Sequence, residues 1–372
     1  MRARELGIRI GRIEPGSLNA ITDVAGVRVG HTTLISGDGP LKPGAGPVRT
    51  GVTVIVPHDG DIWTEPVFAG AHRLNGNGEL TGLEWIREAG MLGGAIGITN
   101  THSVGVVHDA LIEAAVRAHA MGDAAWALPV TGETYDGALN DINGFHVRAE
   151  HVHAALAAAS GGPVGEGNVG GGTGMICHEL KGGIGTSSRV AGSWTVGLLV
   201  QANYGERALL RIDGVPVGAA IPVADVPSPW DQVEALGTRS GTEGGSIIGI
   251  VATDAPLLPH QCARLAQRVG LGVARMGSYA SHGSGDLFVA FATGNRGLSR
   301  GAGEHDPRAT VELQMLPDQQ INPLLEAVAE ATEEAIANAL LAADTMTGRD
   351  GITAHRLDPH LLMRIMRAHG RP

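Results

Sequence analysis

Apolar residues occur along this chain in short runs and alternating segments, with helical patterns between them. Asp23 to His31 alternates as a half-buried strand does, and Gly51 to Pro57 is typical of a more buried strand. Gly93 to Thr99 is a further buried segment. Trp194 to Asn203 (WTVGLLVQAN) and Asp286 to Thr293 predict two long apolar strands.

Helical periodicity marks six other segments. Their predicted bounds are Glu84 to Glu88, Val104 to Met121, Gly144 to Ala159, Pro259 to Arg275, Ile321 to Ala343 and Pro359 to Ala368. The fifth of these is expected to be a long amphipathic helix. Because short strands alternate with Ala-rich helices, we expect an α/β fold in which layered sheets are covered by helices.

Several stretches lack a clear period. Phe68 to Leu83 (FAGAHRLNGNGELTGL) is polar and glycine-rich and is predicted to be a loop. Pro129 to Asp141 is typical of a strand end followed by a polar loop. Glu206 to Val223 predicts a pair of strands that turn at Asp213-Gly214. Residues 224 to 245 are punctuated by proline and glycine and form a linker-like stretch.

The candidate chemistry begins where this linker-like stretch meets an apolar run, in GTEGGSIIGIVATDAP. If Ser246 attacks the carbonyl carbon of Gly245, the acyl group moves from nitrogen to oxygen, and water then releases Ser246 as a new N-terminus. Glycine tolerates the tight backbone that exposes its carbonyl. A free α-amine has a pKa of about 7.7–8.0, so it can accept the hydroxyl proton without a histidine. Thr242, which also follows a glycine, is a rival nucleophile, although no strand follows it directly.

Composition and charge exclude several classes of partner. The chain has 57 glycines but only five Trp, three Tyr and four Phe, so its core must come from Ala, Val, Ile and Leu. A formal net charge of −11 without a long basic run disfavours nucleic acid and anionic membranes as partners. Neither a signal-peptide core nor a membrane span is recognisable, and we expect a cytoplasmic enzyme. Cys177 and Cys262 show no metal-ligand or redox spacing.

Three other constellations suggest different chemistry. The glycine cluster of Gly161 to Arg189 lacks GxxxxGK[ST], which favours close turns over a phosphate loop. Met276 to Thr293 contains Ser, His and Asp in a glycine-lined loop, but it lacks the GxSxG elbow, and its members are too close in sequence for a triad. His146, Glu150 and His153 share one helix face, yet no HExxH occurs, and we expect no metal and no cofactor.

Three polar residues outside these loops could bind substrate. Asn203 ends an apolar strand, where its amide could donate to a developing oxyanion or simply form the turn into Gly205. Glu133 and Tyr135 lie two residues apart, so in an extended segment they would point the same way and could together bind a ligand amine. The alternative for both is an exposed, solvated loop.

Taken together, these stretches resemble the self-processing serine aminopeptidases, the family of L-aminopeptidase/D-esterase and the β-peptidyl aminopeptidases. The resemblance is carried by DVAGVRVGHTT, NGNGELTG, ITNTHSVG, GETYDG, GGGTGM, KGGIGTSSR, QANYG, GGSIIGIVATDAP and HGSGD, which extend over most of residues 15 to 295. It implies a four-layer αββα sandwich, like that of N-terminal nucleophile hydrolases but differently connected. It also implies one domain cut into an α chain of residues 1–245 and a β chain of residues 246–372, with αβ pairs assembled into a homo-oligomer, a tetramer.

The resemblance also assigns roles to residues. Ser246 would be the nucleophile, Ser284 and Asp286 would form hydrogen bonds around it, and Asn203 would hold the oxyanion. Glutamate also occurs in the family at the position of Asp286. Glu133 and Tyr135 would face the free amino group of a short peptide, amide or ester substrate with a small first residue.

Two other functions remain open on the sequence alone. One is an acyltransferase similar to ornithine acetyltransferase, in which an amine accepts the acyl group, although those enzymes use threonine where this chain has Ser246. The other is a small-molecule binding protein that is never cut. The expected function is hydrolysis of short peptides, amides and esters through an acyl-enzyme, with the first residue an L-α, D-α or β-amino acid.

Overall fold

The computed structural model describes residues 1–119, 126–237, 245–298 and 310–371. The larger of its two main sheets has six strands in the order β4-β3-β12-β11-β10-β9, and the smaller has four in the order β1-β2-β5-β6. The strands are β1 (Arg28–Ser36), β2 (Val48–Val56), β3 (Val67–Gly76), β4 (Met91–Leu92), β5 (Ile96–Asn100), β6 (Val130–Thr134), β7 (Ile176–Cys177), β8 (Leu180–Lys181), β9 (Gly183–Ala191), β10 (Trp194–Asn203), β11 (Ser246–Thr253), β12 (Gly285–Ala292), β13 (Met346–Thr347) and β14 (Thr353–Ala354).

Helices cover the outer face of each main sheet. The described helices are α1 (Leu83–Ala89), α2 (Val104–His119), α3 (Ala149–Ala157), α4 (Pro229–Ala235), α5 (Pro259–Arg275), α6 (Asn322–Ala342) and α7 (Pro359–Ala368). Helices α2 and α3 pack on the four-stranded sheet, and α5 and α6 pack on the six-stranded sheet. The expected four-layer αββα sandwich is therefore confirmed.

The central strand β11 shows how sequence alternation builds these layers. Ile247 and Val251 pack in the cluster that includes α5 and α6. Ile248 and Ile250 belong to the cluster between the two sheets. Since successive strand residues point to opposite faces, Ser246 shares the face of Ile248, which looks toward the four-stranded sheet.

Several predicted elements are confirmed at their predicted bounds. Strand β10 and helices α5 and α7 coincide with the segments predicted from periodicity, and β12 differs by one residue at each end. The predicted helix over Gly144 to Ala159 is shorter, because residues 142–144 form a 3-10 turn and α3 begins at Ala149.

The predicted loop over Phe68 to Leu83 is wrong for its first half, which is strand β3. Its small residues have a structural reason, because a Cβ on Gly70 would lie 2.2 Å from the backbone nitrogen of Ala263 in α5. Glycine here lets a helix approach the sheet closely, and the same glycine made the stretch look like a loop.

Two further predictions are wrong. The strand pair predicted for residues 206–223 is wrong, because they form two 3-10 turns, Arg207–Leu209 and Gly218–Ala220, and a single bridge between Ile212 and Val215. The predicted turn at Asp213-Gly214 is confirmed, since these two residues lie between the bridged pair. Helix α6 is buried on almost every side and not amphipathic. Glu330 and Glu334 of this helix are paired inside the protein, since the Arg189 guanidinium lies 2.8 Å from Glu334 and 3.2 Å from Glu330.

Candidate active site

The candidate site lies where three strand ends of the six-stranded sheet meet. Ser246 opens β11 and is paired with Asn203, the last residue of the antiparallel strand β10. On its other side Ser246 is paired with Gly285, the first residue of the parallel strand β12. Sheet register therefore brings together three segments that lie far apart in sequence.

The backbone around Gly245 has no room for a side chain. A Cβ at this position would lie 2.5 Å from Cα of Tyr204 and 2.9 Å from the carbonyl oxygen of Asn203. The Gly245 carbonyl oxygen accepts a hydrogen bond of 3.0 Å from the N–H of Gly285. The peptide bond before Ser246 is thus held in a fixed position, with its carbonyl polarised by a backbone donor.

The side-chain amide of Asn203 is oriented by one strong contact. Its Oδ1 accepts a hydrogen bond of 2.7 Å from the N–H of Ile176. With the oxygen engaged, Nδ2 is the free end of the amide, and it has no hydrogen bond to any described residue. Asn203 is only 5% exposed and lines a cavity. In this orientation Nδ2 of Asn203 is available to donate a hydrogen bond to an oxyanion.

Ser284 and Asp286 form a buried pair beside this position. The Ser284 hydroxyl donates to Oδ1 of Asp286 at 2.6 Å, so the shorter aspartate still makes this contact. Burial raises the pKa of Asp286, while hydrogen bonds from Ser284 and Asn75 oppose the rise. Asp286 is paired in register with Ile247, the residue after Ser246. The carboxylate therefore lies next to the start of β11.

Two asparagines that sequence reasoning missed hold the loop before Ser284. Nδ2 of Asn75 donates to the carbonyl oxygens of Ala280 and Ser281 at 2.8 and 2.9 Å. Nδ2 of Asn77 donates to the carbonyl oxygen of Gly283 at 2.7 Å. Both lie in the stretch predicted to be a loop, and its NGNG sequence was the available signal.

His282 and the phosphate-loop alternative gain no support from the geometry. The His282 side chain is exposed and makes no hydrogen bond to a described residue, so the Ser/His/Asp triad is wrong. Among the described residues, no side-chain base forms a hydrogen bond with the Ser246 hydroxyl. The glycine cluster of residues 170–172 packs against backbone, since a Cβ on Gly172 would lie 2.4 Å from the nitrogen of Ile184.

Glu133 lies on the facing sheet, close to the same strand ends. A Cβ built on Gly78 would lie 3.0 Å from Oε1 of Glu133 and 3.3 Å from Cα of Gly285. Glu133 is buried and accepts hydrogen bonds from the N–H of Glu79 at 3.0 Å and from the Thr101 hydroxyl. Burial raises its pKa. Glu133 is therefore part of strand β6, not of an exposed loop.

Tyr135 has a different environment. It follows the end of β6 and is 48% exposed, and no hydrogen bond joins it to Glu133 in the described chain. Burial of the ring raises the pKa of its phenol. The structure thus places Glu133 near the strand ends but does not bring Tyr135 together with it.

A cavity of about 590 Å³ opens beside these strand ends. Asn203, Gly245 and Ser284 line it, and Glu179, Glu206 and Asp231 add acidic groups to its wall. The Tyr279 hydroxyl donates to Glu206 at 2.8 Å. A small molecule can therefore reach the peptide bond before Ser246 from an acidic cavity.

The helix-face histidines do not converge on a metal position. His146 contacts Asp141 at 2.9 Å, and His153 contacts Glu113 at 3.2 Å. Among the residues that the structure describes, no group of three His, Cys, Asp or Glu side chains is arranged to hold a metal ion. Thr242 lies outside the described residues. No helix in the described ranges is long and apolar enough to span a membrane.

Fold and site together define a class of hydrolase. In this class a serine begins a central strand of an αββα sandwich, and it lies next to a side-chain amide and a buried Ser/Asp pair. The sequence profile of peptidase family S58 matches residues 19–354. The chain belongs to peptidase family S58, and it is a serine aminopeptidase of that family.

Several relatives support this assignment over the whole chain. The β-peptidyl aminopeptidase BapA of Sphingosinicella microcystinivorans is 49% identical, with 98% of this chain and 91% of that protein covered. BapA of Sphingosinicella xenopeptidilytica is 45% identical, with coverage of 99% and 91%.

Solved structures agree with this result. A β-aminopeptidase from a Burkholderia species superposes with a TM-score of 0.90 at 54% identity, covering all of both chains. The L-aminopeptidase D-Ala-esterase/amidase of Ochrobactrum anthropi superposes with a TM-score of 0.89 at 42% identity, covering 100% of this chain and 99% of that one. That enzyme is described as a variant of the Ntn hydrolase fold.

Proposed function

We propose that this chain cuts itself between Gly245 and Ser246 and that the new N-terminal serine then releases small N-terminal residues from short peptides, amides and esters. The observation that carries the proposal is the position of the Gly245–Ser246 peptide bond. It lies at the first residue of β11, in a place that excludes a side chain at 245, with Asn203 paired on one side and Gly285 on the other.

Self-cleavage would begin with attack by the Ser246 hydroxyl oxygen on the Gly245 carbonyl carbon. The C–N bond breaks, the amide nitrogen gains a proton to become the Ser246 α-amine, and an ester joins Gly245 to the serine oxygen. Water then hydrolyses the ester and leaves a carboxylate on Gly245 and a free N-terminal serine. The Gly285 N–H already bonds the carbonyl oxygen that would become the oxyanion.

In the mature enzyme the Ser246 α-amine would act as the base. It takes the hydroxyl proton while the oxygen attacks the substrate carbonyl, and it returns the proton to the leaving amine. Nδ2 of Asn203 would donate to the oxyanion. The Ser284–Asp286 pair would stabilise the α-ammonium that forms, because the carboxylate lies beside the start of β11.

We propose substrates with a free amine and a small first residue, including β-amino acids. The buried Glu133 carboxylate near Gly285 supports recognition of the amine, and the names of the curated relatives support β-peptides. Rates with β-alanyl, L-alanyl and D-alanyl p-nitroanilides would rank the three classes. No hydrolysis of the β-alanyl substrate would refute the inclusion of β-amino acids.

The self-cleavage proposal is tested by the intact mass of freshly purified protein beside a Ser246→Ala control. Two fragments that meet between residues 245 and 246, and that are absent from the control, are expected. An uncut chain that still hydrolyses aminoacyl anilides would refute the free-amine mechanism. An uncut and inactive chain would favour a binding protein.

Two further points follow from the same proposal. Product analysis with an added amine acceptor tests hydrolysis against acyl transfer, and free acid is expected as the main product. We also propose that αβ pairs form a tetramer, which the family resemblance supports and which light scattering after gel filtration would measure. The cytoplasmic location stays a prediction.

A further inference from the structure

Lys181 is a buried cation that the proposed mechanism does not use. The chain contains only two lysines, Lys42 on the surface and Lys181 at the end of β8, and Lys181 is fully buried. No described carboxylate lies within ion-pair distance of its ammonium. A buried unpaired charge is costly unless hydrogen bonds satisfy it, so its retention requires an explanation.

The Lys181 ammonium is satisfied entirely by backbone carbonyls of one turn. Nζ donates to the carbonyl oxygens of Gly182 at 2.8 Å, Met175 at 2.9 Å and Gly172 at 3.3 Å. These three residues bracket the segment that runs through β7. One side chain therefore ties together both ends of the β7–β8 hairpin and the glycine turn before it.

That hairpin carries the contact that orients Asn203. Ile176 follows Met175 directly, and its N–H is the donor to Oδ1 of Asn203 at 2.7 Å. Moving the Met175 carbonyl would move the peptide plane that contains the Ile176 N–H, because the two groups belong to the same planar unit. The chain of contacts thus runs from Nζ of Lys181 through one peptide to the amide of Asn203.

We infer that Lys181 is a positioning residue for Asn203, and that its ammonium holds the 175–176 peptide so that Nδ2 of Asn203 points at the position of the oxyanion. This inference rests on the proposed role of Asn203. Burial lowers the pKa of Lys181 to about 7, so in the neutral amine form one of its three donors is lost near the pH at which the enzyme would work.

The test is a double-mutant cycle of Lys181→Met and Asn203→Ala on the full chain. The measured quantities are kcat and KM for β-alanyl p-nitroanilide, normalised to the processed fraction found by intact mass. Lys181→Met is expected to lower kcat about tenfold or more while KM stays within about twofold, since a misplaced oxyanion donor weakens only the transition state. In the Asn203→Ala background the same substitution should have almost no further effect on kcat.

Lys42→Met is the matched control, because it also removes a lysine but lies at an exposed position, and it should match the wild-type kcat. If Lys181→Met yields no folded protein, Lys181→Gln, which keeps one donor group, takes its place in the cycle. An unchanged kcat in a folded, processed Lys181 variant would overturn the inference. The inference would also be overturned if Lys181→Met lowered kcat by the same factor in the Asn203→Ala background as in the wild type, because a merely structural role predicts that result. An unchanged kcat in Asn203→Ala alone would instead overturn the proposed oxyanion role.

Discussion

Replacing Gly245 with alanine tests the idea that backbone crowding before Ser246 positions the cleavage site. A methyl group at residue 245 would lie 2.5 Å from Cα and 2.8 Å from Cβ of Tyr204. Carbon atoms normally stay about 3.5–4.0 Å apart, so residue 245 or Tyr204 must move by about 1 Å. Such a shift would take the Gly245 carbonyl away from the Gly285 N–H that now bonds it at 3.0 Å.

The expected size of the effect follows from the cost of overpacking. Inserting a methyl group into a filled site costs about 1–3 kcal/mol. If this free energy is added to the activation barrier, because the Gly245 carbonyl must return to the position aligned for attack, cleavage slows by about 5-fold to 150-fold. The rate is measured as the disappearance of precursor mass after a pulse of cell-free synthesis.

Gly105→Ala is a suitable control for this experiment. Gly105 lies in α2, and a Cβ there would meet nothing within 4 Å, so the variant should be processed like the wild type. If Gly245→Ala is cleaved at the wild-type rate or faster, the crowding does not align the carbonyl. Faster cleavage would mean that release of strain drives the reaction.

Two further substitutions give independent tests. Asp286→Asn should lower kcat/KM about 10-fold to 150-fold, because it removes the carboxylate charge that would stabilise the Ser246 α-ammonium, a charge-assisted contact worth about 1.5–3 kcal/mol. An unchanged kcat/KM would remove Asp286 from the mechanism. Burial raises the pKa of Asp136 to about 7 from an ordinary 3.8, so its contribution to stability is complete below about pH 4 and is lost as pH rises through 7. The loss in the free energy of unfolding is at most about 4 kcal/mol. Urea unfolding from pH 4 to pH 8 should show a smaller pH dependence of this free energy for Asp136→Asn than for the wild type. The same pH dependence in both proteins would contradict the raised pKa of Asp136.

Sequence periodicity predicted the elements whose apolar pattern continues over their full length. Helix α5 and strand β10 agree because each satisfies a simple rule over its full length. Strand β3 was missed, since the close approach of α5 at Gly70 requires small residues that are typical of loops. The burial of α6 was missed because its glutamates look like a solvated face, whereas Arg189 and Arg4 neutralise Glu334 inside the protein.

The sequence allows the residues of the candidate site to be proposed, but it does not predict their geometry. Ser246, Asn203 and Asp286 each end or begin an apolar strand, and sequence alone indicates that such ends can meet at one sheet edge. The order of strands β12, β11 and β10 decides which ends do meet, and that order depends on long-range pairing. Lys181 had no local signal, because a single lysine in a glycine-rich turn is usually exposed.

Cleavage after Gly245 would leave two chains that the fold itself holds together. Strand β10 of the first chain pairs with β11 of the second along eight residue pairs, and β3 of the first pairs with β12 of the second. The N-terminal segment of the first chain also contacts the second chain, since Arg4 lies 3.0 Å from Glu334 in α6. A new N-terminus at Ser246 would therefore remain between Asn203 and Gly285, which is where the proposed mechanism requires it.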